Sequence, residues 1–233
     1  MDALLVRIAE RITSGADPLL SPSEALELAR LPESATLDIL SVAGLARAAR
    51  QPAAAFTCGI INAKSGRCPE NCAFCAQSAH HQTDSPVYPL YDTDTLLRRA
   101  EELAANNVDR FGIVTSGTAP SDRDFDALCE SALRIGREVK IGLCASRRRE
   151  AGFTAYHHNL EASASHFPSI CTTHAYEQDL ETVRVARSAG FRVCSCGIFG
   201  LGETWEQRIE LSQTLTDLGV DSLPVNFLNP IPG

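Results

Sequence analysis

Three cysteines fall within one short segment, Cys68-Pro-Glu-Asn-Cys72-Ala-Phe-Cys75. Thiolates spaced C-x3-C-x2-C can grip three corners of a four-iron, four-sulfur cluster, which ordinarily takes four cysteines. A missing fourth protein ligand leaves one iron open to a small molecule, and an open iron is what chemistry needs. The same thiols suit a structural zinc, with Cys58, His80 or His81 completing a tetrahedron. Zinc sites more often use paired C-x2-C hooks, and this segment has only one such pair.

Nine cysteines occur in 233 residues, an odd count. In a reducing compartment they serve as metal ligands, redox groups or small core residues rather than disulfides. A formal net charge of −8 argues against a nucleic-acid or anionic-membrane surface. Asp2, Arg7, Glu10 and Arg11 interrupt the apolar residues near the N-terminus, so no signal-peptide core is expected there. No stretch approaches the length of a membrane span. A soluble, cytoplasmic protein with no nucleic-acid and no membrane partner is therefore expected.

The elements that must position the cysteines follow from pattern. Residues 1–50 read as an N-terminal helical extension, with Ser21-Pro-Ser-Glu24 as a capping box. From residue 51 onward, short apolar runs at 56–62, 110–115, 139–144, 153–157, 191–195 and 222–228 alternate with amphipathic stretches. Several runs are too apolar for half-exposed strands and suit a parallel sheet buried on both faces. Thr204 and Gln207 form a second capping box, and Leu211, Leu215 and Leu218 share a stripe before Gly219. The expected fold is α/β, a partial TIM-type (β/α)6 barrel over residues 51–233, with chemistry at the C-terminal strand ends. One join conflicts with this: only residues 145–152 separate two strands, where a parallel crossover takes a dozen or more.

Further motifs flank the cysteine segment. Cys58-Gly-Ile-Ile-Asn-Ala-Lys-Ser-Gly-Arg-Cys68 leads into it, and Ala76-Gln-Ser-Ala-His80 follows. Beyond lie Tyr156-His-His-Asn-Leu-Glu161, Gly197-Ile-Phe-Gly-Leu-Gly-Glu203 and Asn226-Phe-Leu-Asn-Pro230. Together these resemble the biotin synthase family of the radical S-adenosylmethionine (SAM) superfamily, from about Phe56 to the end of the chain.

The resemblance implies that Cys68, Cys72 and Cys75 ligate a [4Fe-4S] cluster whose open iron takes the amino and carboxylate groups of SAM. It implies reductive cleavage of SAM, hydrogen abstraction from dethiobiotin and sulfur insertion, a radical SAM sulfurtransferase reaction yielding biotin. Phe74, Ser116, Gly117, His158, Asn159, Glu161, Ile198, Gly200 and Asn226 fall on the family's cofactor contacts, with Glu161 as the ribose-binding acid. Asn159 and Asn226 match asparagines that meet substrate and nucleoside, and so take the catalytic positions. A flavodoxin or ferredoxin as electron donor and a homodimer are family expectations.

The resemblance also implies an auxiliary iron–sulfur cluster as sulfur source. In the best-known branch it is [2Fe-2S], held by three cysteines and an arginine. Cys144 and Cys194 match two of those cysteines, while Gly112 replaces the first and the arginine would lie beyond Gly233. Cys196 stands where that branch has glycine. It lies two residues from Cys194, on the same face of an extended strand. Cys144, Cys194 and Cys196 are thus the expected auxiliary ligands, holding a [2Fe-2S] or four-iron cluster. Cys58, Cys129 and Cys171 are read as core or incidental.

Overall fold

The computed structural model describes residues 1–51, 55–144 and 153–232. Three helices come first: α1 (Ala3–Ser14), α2 (Pro22–Ala29) and α3 (Thr36–Arg50). Asp2 caps α1 by accepting from Leu4 N, and Gly15 closes it in the left-handed region that glycine enters without penalty. The expected Ser21–Glu24 capping box is present on α2. Leu4, Leu5, Ile8, Ile12 and Val42 form an apolar cluster of their own, separate from the main core. Arg11 reaches across to Glu24 with two 2.8 Å hydrogen bonds.

The strands and helices that follow are β1 (Cys58–Lys64), α4 (Thr93–Ala105), β2 (Arg110–Thr115), α5 (Asp122–Glu138), β3 (Gly142–Cys144) and β4 (Ala155–His157). After them come α6 (Tyr176–Ser188), β5 (Arg192–Cys194), β6 (Ile198–Phe199), α7 (Trp205–Leu218) and β7 (Asn226–Phe227). Arg30 at the end of α2 bonds Glu206 of α7 at 2.7 Å, tying the N-terminal helices to the rest. Strands β1 to β5 form one sheet in sequential order, and every pairing is parallel. Sequential parallel order with intervening helices is the topology of a TIM-type barrel wall, and here the wall is partial.

The apolar run at 191–195 does not continue as one strand. It ends at Cys194 and resumes at Ile198 as β6, which pairs with β7 in a separate two-stranded sheet. Across the gap the contact with the segment after β4 persists, as Leu160 N and Glu161 N both donate to Cys196 O, at 2.8 and 3.2 Å. Isolated bridges Cys194↔Ser222 and Glu161↔Gly197 stitch the two sheets together. Six strand positions therefore remain, the fifth broken into β5 and β6. The expected run at 222–228 contracts to the Ser222 bridge and the two residues of β7.

Residues 145–152, where the short join was expected, lie outside the described residues. Their flanks do pair in parallel, Cys144 against Ala155. The core lies between the sheet and its helices, with Phe111, Leu143 and Val193 from strands against Leu96, Ile135, Val183 and Leu215 from helices. Among the described residues no helix is long and apolar enough to cross a membrane.

Candidate functional site

β1 delivers the chain to the C-terminal edge of the sheet, and the cysteine loop begins three residues later. Gly66 and Arg67 turn it, both at positive φ (80° and 55°). The loop then closes on itself: Cys68 N donates to Gln77 O at 3.0 Å and Ala79 N to Cys68 O at 2.8 Å. Ser78 Oγ donates to Glu70 O at 2.6 Å. Cys75 N donates to Cys72 O at 3.0 Å, which folds the last two cysteines into one turn. All three thiols are free and part-buried.

A cavity of about 290 Å³ opens beside the loop. Cys68, Cys72, Cys75 and Phe74 line one wall, and Ser116 and Gly117 at the end of β2 line another. His158, Asn159 and Glu161, just beyond β4, complete it. Nine of the residues singled out from sequence thus surround one space. Burial pushes the Cys72 and Cys75 thiols up, and the neighbouring sulfurs add to it. Crowded, desolvated thiols become thiolates when a metal supplies the compensating charge. The donor set therefore fits an iron–sulfur cluster.

Ile198, Gly200 and Asn226 stand outside this cavity. Gly200 lines a neighbouring one that shares Phe74 and Cys75. Its turn has neither amide to spare for a ligand, because Gly200 N and Leu201 N donate to the Glu203 carboxylate at 2.9 and 2.7 Å. Ile198 N likewise donates to Glu161 O at 2.9 Å. Asn226, expected to meet substrate and nucleoside, is exposed on β7, where its side chain donates to Pro224 O and its backbone N to Gly197 O. The open edge of the partial wall is the physical reason, since no strand beyond β7 covers it among the described residues.

Glu161 is the most unusual carboxylate here. Its backbone sits in the left-handed region, φ 61°, which costs a non-glycine residue of order 1 kcal/mol or more. Burial pushes its carboxyl up from 4.5 to about 7, assisted by Asp179 and opposed by a hydrogen bond from Asn159. A carboxyl raised on folding holds its proton in the native state while the unfolded chain has lost it. Stability therefore falls as pH rises through the window from 4.5 to about 7. For Glu161→Gln we expect that fall to shrink by as much as about 3 kcal/mol. Urea midpoints of the cluster-free chain at about pH 5 and about pH 8 read it. Equal pH dependence in both proteins would contradict the assignment.

Of the two adjacent histidines, His158 lines the cavity and His157 does not. Around His158 lies a network that sequence reasoning did not find. His158 Nε2 lies 3.0 Å from Asp179 Oδ1, and Asp179 Oδ2 lies 3.2 Å from His174 Nε2. His174 Nδ1 sits 2.7 Å from Glu70 Oε2, and Cys171 Sγ 3.7 Å from Cys72 Sγ. The signal available in sequence was Cys171-Thr-Thr-His174, a C-x2-H spacing.

The auxiliary cysteines also divide. Cys144 and Cys194 interact electrostatically with one another and with Arg110, as does Cys58, whereas Cys196 neighbours Glu161 and Cys194. Burial pushes Cys144 up to about 12. Cys58, read as incidental, pairs in register with Arg110 and shares that neighbour with Cys144 and Cys194.

Comparison with known proteins matches this geometry. The radical SAM superfamily profile covers residues 63–215. Biotin synthase of Nitratidesulfovibrio vulgaris strain Miyazaki F is 50% identical over all of this chain and 74% of its own length. The chain belongs to the biotin synthase family of the radical SAM superfamily. Biotin synthase of N. vulgaris strain DP4 is 58% identical over 92% of this chain, and that alignment spans 62% of the relative. The chain is thus markedly shorter than its biotin synthase relatives. Among solved structures, methylornithine synthase superposes with a TM-score of 0.83 at 15% identity, covering 96% of this chain and 68% of that one. A maturase of the [FeFe]-hydrogenase gives 0.80 at 15% identity, covering 97% and 54%. At such identities these two establish the fold alone.

Proposed function

We propose that this chain converts dethiobiotin to biotin by radical SAM sulfur insertion. The observation that carries the reading is the single cavity shared by the three loop cysteines, the β2 terminus and the His158–Glu161 segment. Cys68, Cys72 and Cys75 would hold the [4Fe-4S] cluster. When bound, that cluster supplies the electron that cleaves SAM to methionine and a 5′-deoxyadenosyl radical.

The chain's own residues bind, orient and shield. Ser116 and Gly117 border the cavity where the methionine part of SAM would lie, and Ser116 Oγ is fixed by donating to Gly66 O at 2.9 Å. Glu161 offers its carboxyl to the ribose hydroxyls. Asn159 is held in place from both ends, accepting from Cys196 N at 3.2 Å and donating to Glu161 at 3.4 Å. Phe74 presents an apolar face toward the adenine. For Ile198, Gly200 and Asn226 the contribution would be through carbonyls and shape, since their nearby amides are already paired.

Cys144, Cys194 and Cys196 are proposed to hold the auxiliary cluster that donates sulfur, with Cys58 and Arg110 beside them. A flavodoxin or ferredoxin would deliver the electron. The test is anaerobic reconstitution with iron and sulfide, then reduction in the presence of SAM and dethiobiotin. We expect 5′-deoxyadenosine and biotin, more than four irons per chain, and a drop toward four in Cys144→Ala and Cys194→Ala. Deoxyadenosine without biotin would point to another substrate. Absence of both would remove the reading altogether.

A further inference from the structure

We propose that Cys171 Sγ, His174 Nδ1 and Glu70 Oε2 form a mononuclear metal site in the cavity wall, for a divalent transition cation of borderline softness such as Zn²⁺ or Fe²⁺. The three ligand atoms all lie within 4.8 Å of one another, and Cys171 is buried with the other two part-buried. The sulfur, nitrogen and oxygen donors suit Zn²⁺ or Fe²⁺ and not Mg²⁺ or Ca²⁺, which take oxygen ligands.

The arrangement around the histidine is what a metal-bound imidazole needs. Its other nitrogen, Nε2, lies 3.2 Å from Asp179 Oδ2, the carboxylate partner that fixes ring and tautomer in metal–histidine–carboxylate triads. Asp179 is itself anchored by His158 at 3.0 Å. The backbone beneath the ligands is equally fixed. Ala73 N donates to Ile170 O, Thr172 N to Asn71 Oδ1, and Asn71 N to Thr173 Oγ1, at 2.8, 2.9 and 3.1 Å. These bonds lace the cysteine loop to the segment carrying Cys171 and His174.

The plainer reading makes His174 an imidazolium clamped between Glu70 and Asp179. In that reading Cys171 has only the longer contacts to Cys72 Sγ at 3.7 Å and Thr173 Oγ1 at 3.5 Å, yet its sulfur lies 3.3 Å from the same Nδ1 that lies 2.7 Å from Glu70. One N–H cannot serve a carboxylate and a thiol equally well. Three acceptor-capable atoms meet at one point, and a cation in place of the proton satisfies all three. Occupied, the site would pin the cluster loop through Glu70 to the segment before α6. It stands independently of the reaction proposed above.

Because the loop cysteines and the proposed auxiliary cysteines take metals themselves, the test uses the 233-residue chain with Cys58, Cys68, Cys72, Cys75, Cys144, Cys194 and Cys196 all replaced by alanine. Titrated with Co²⁺ under anaerobic conditions, this protein is expected to bind one ion with a thiolate-to-cobalt charge-transfer band. Adding Cys171→Ser should abolish the band, and adding His174→Ala should weaken binding by at least about tenfold. A band unchanged by Cys171→Ser, or no Co²⁺ binding by a folded protein, overturns the site. Should that variant not fold, the cluster-loaded parent chain is incubated with Zn²⁺ and its metals counted. One zinc per chain, lost in Cys171→Ser and His174→Ala while iron is retained, supports the site. Equal zinc in all three proteins rejects it.

Discussion

Replacing Cys72 by alanine together with Cys171 is expected to eliminate cluster assembly on the loop and reduce SAM cleavage to background. Three thiolates already leave the cluster one ligand short of the usual four, so a second vacancy leaves two irons without protein ligands. Cys72 sits at the middle of the loop, held by the Cys75 N to Cys72 O bond on one side and packed against the core on the other. The double variant is needed because Cys171 Sγ lies only 3.7 Å away and is placed to substitute for the missing sulfur. Iron, acid-labile sulfide and visible absorption of the reconstituted protein are the readouts, with 5′-deoxyadenosine as the catalytic one. Cys129→Ala, on α5, should load iron normally. If the double variant still assembles a cluster and makes deoxyadenosine, the loop is not the cluster site.

What the sequence makes legible follows from how local the physics is. The Ser21–Glu24 and Thr204–Gln207 capping boxes each involve a side chain and a backbone group three residues apart, and both are formed. The parallel wall was readable because runs such as β2 carry Phe111 and Ile113 on one face and Gly112 and Val114 on the other, which suits a doubly covered sheet. The cysteine loop was readable because its three ligands lie in one segment. The Glu70–Cys171–His174–Asp179 network was not. It joins a loop residue to partners about a hundred positions later, and its members are ordinary polar residues one at a time. The break after Cys194 was hidden for a similar reason. Nothing in Val-Cys-Ser-Cys-Gly signals a break, and the residues that bond across it, Leu160 and Glu161, lie on another segment. Strand parity presumes one strand through Cys194 and Cys196, whereas β5 ends at Cys194, and Cys58 on β1 joins the group only through the register that sets it beside Arg110.

Gly197 is the position where one added methyl group should do the most damage. A Cβ there would lie 2.3 Å from Glu161 O and 2.7 Å from its carbonyl carbon, with Leu211 Cδ2 at 3.0 Å. The first two are backbone atoms held by the Glu161↔Gly197 bridge and by the Ile198 N to Glu161 O bond, so no side chain can rotate away. Relief requires separating the two segments, which breaks that bond and frees Glu161 from the left-handed conformation that aims it at the cavity. Gly197→Ala should therefore lose about 3 kcal/mol of stability, the upper end of the usual overpacking cost. SAM binding to the reconstituted protein should weaken at least tenfold, since a hydrogen-bonding carboxyl is displaced. Gly136→Ala, where the added methyl meets nothing within 4 Å on helix α5, should instead hold or gain up to about 1 kcal/mol. Urea denaturation of both variants and SAM titration by calorimetry separate the outcomes. A Gly197→Ala protein with the parent's midpoint and SAM affinity would mean that the contact between these two segments does not set the position of Glu161.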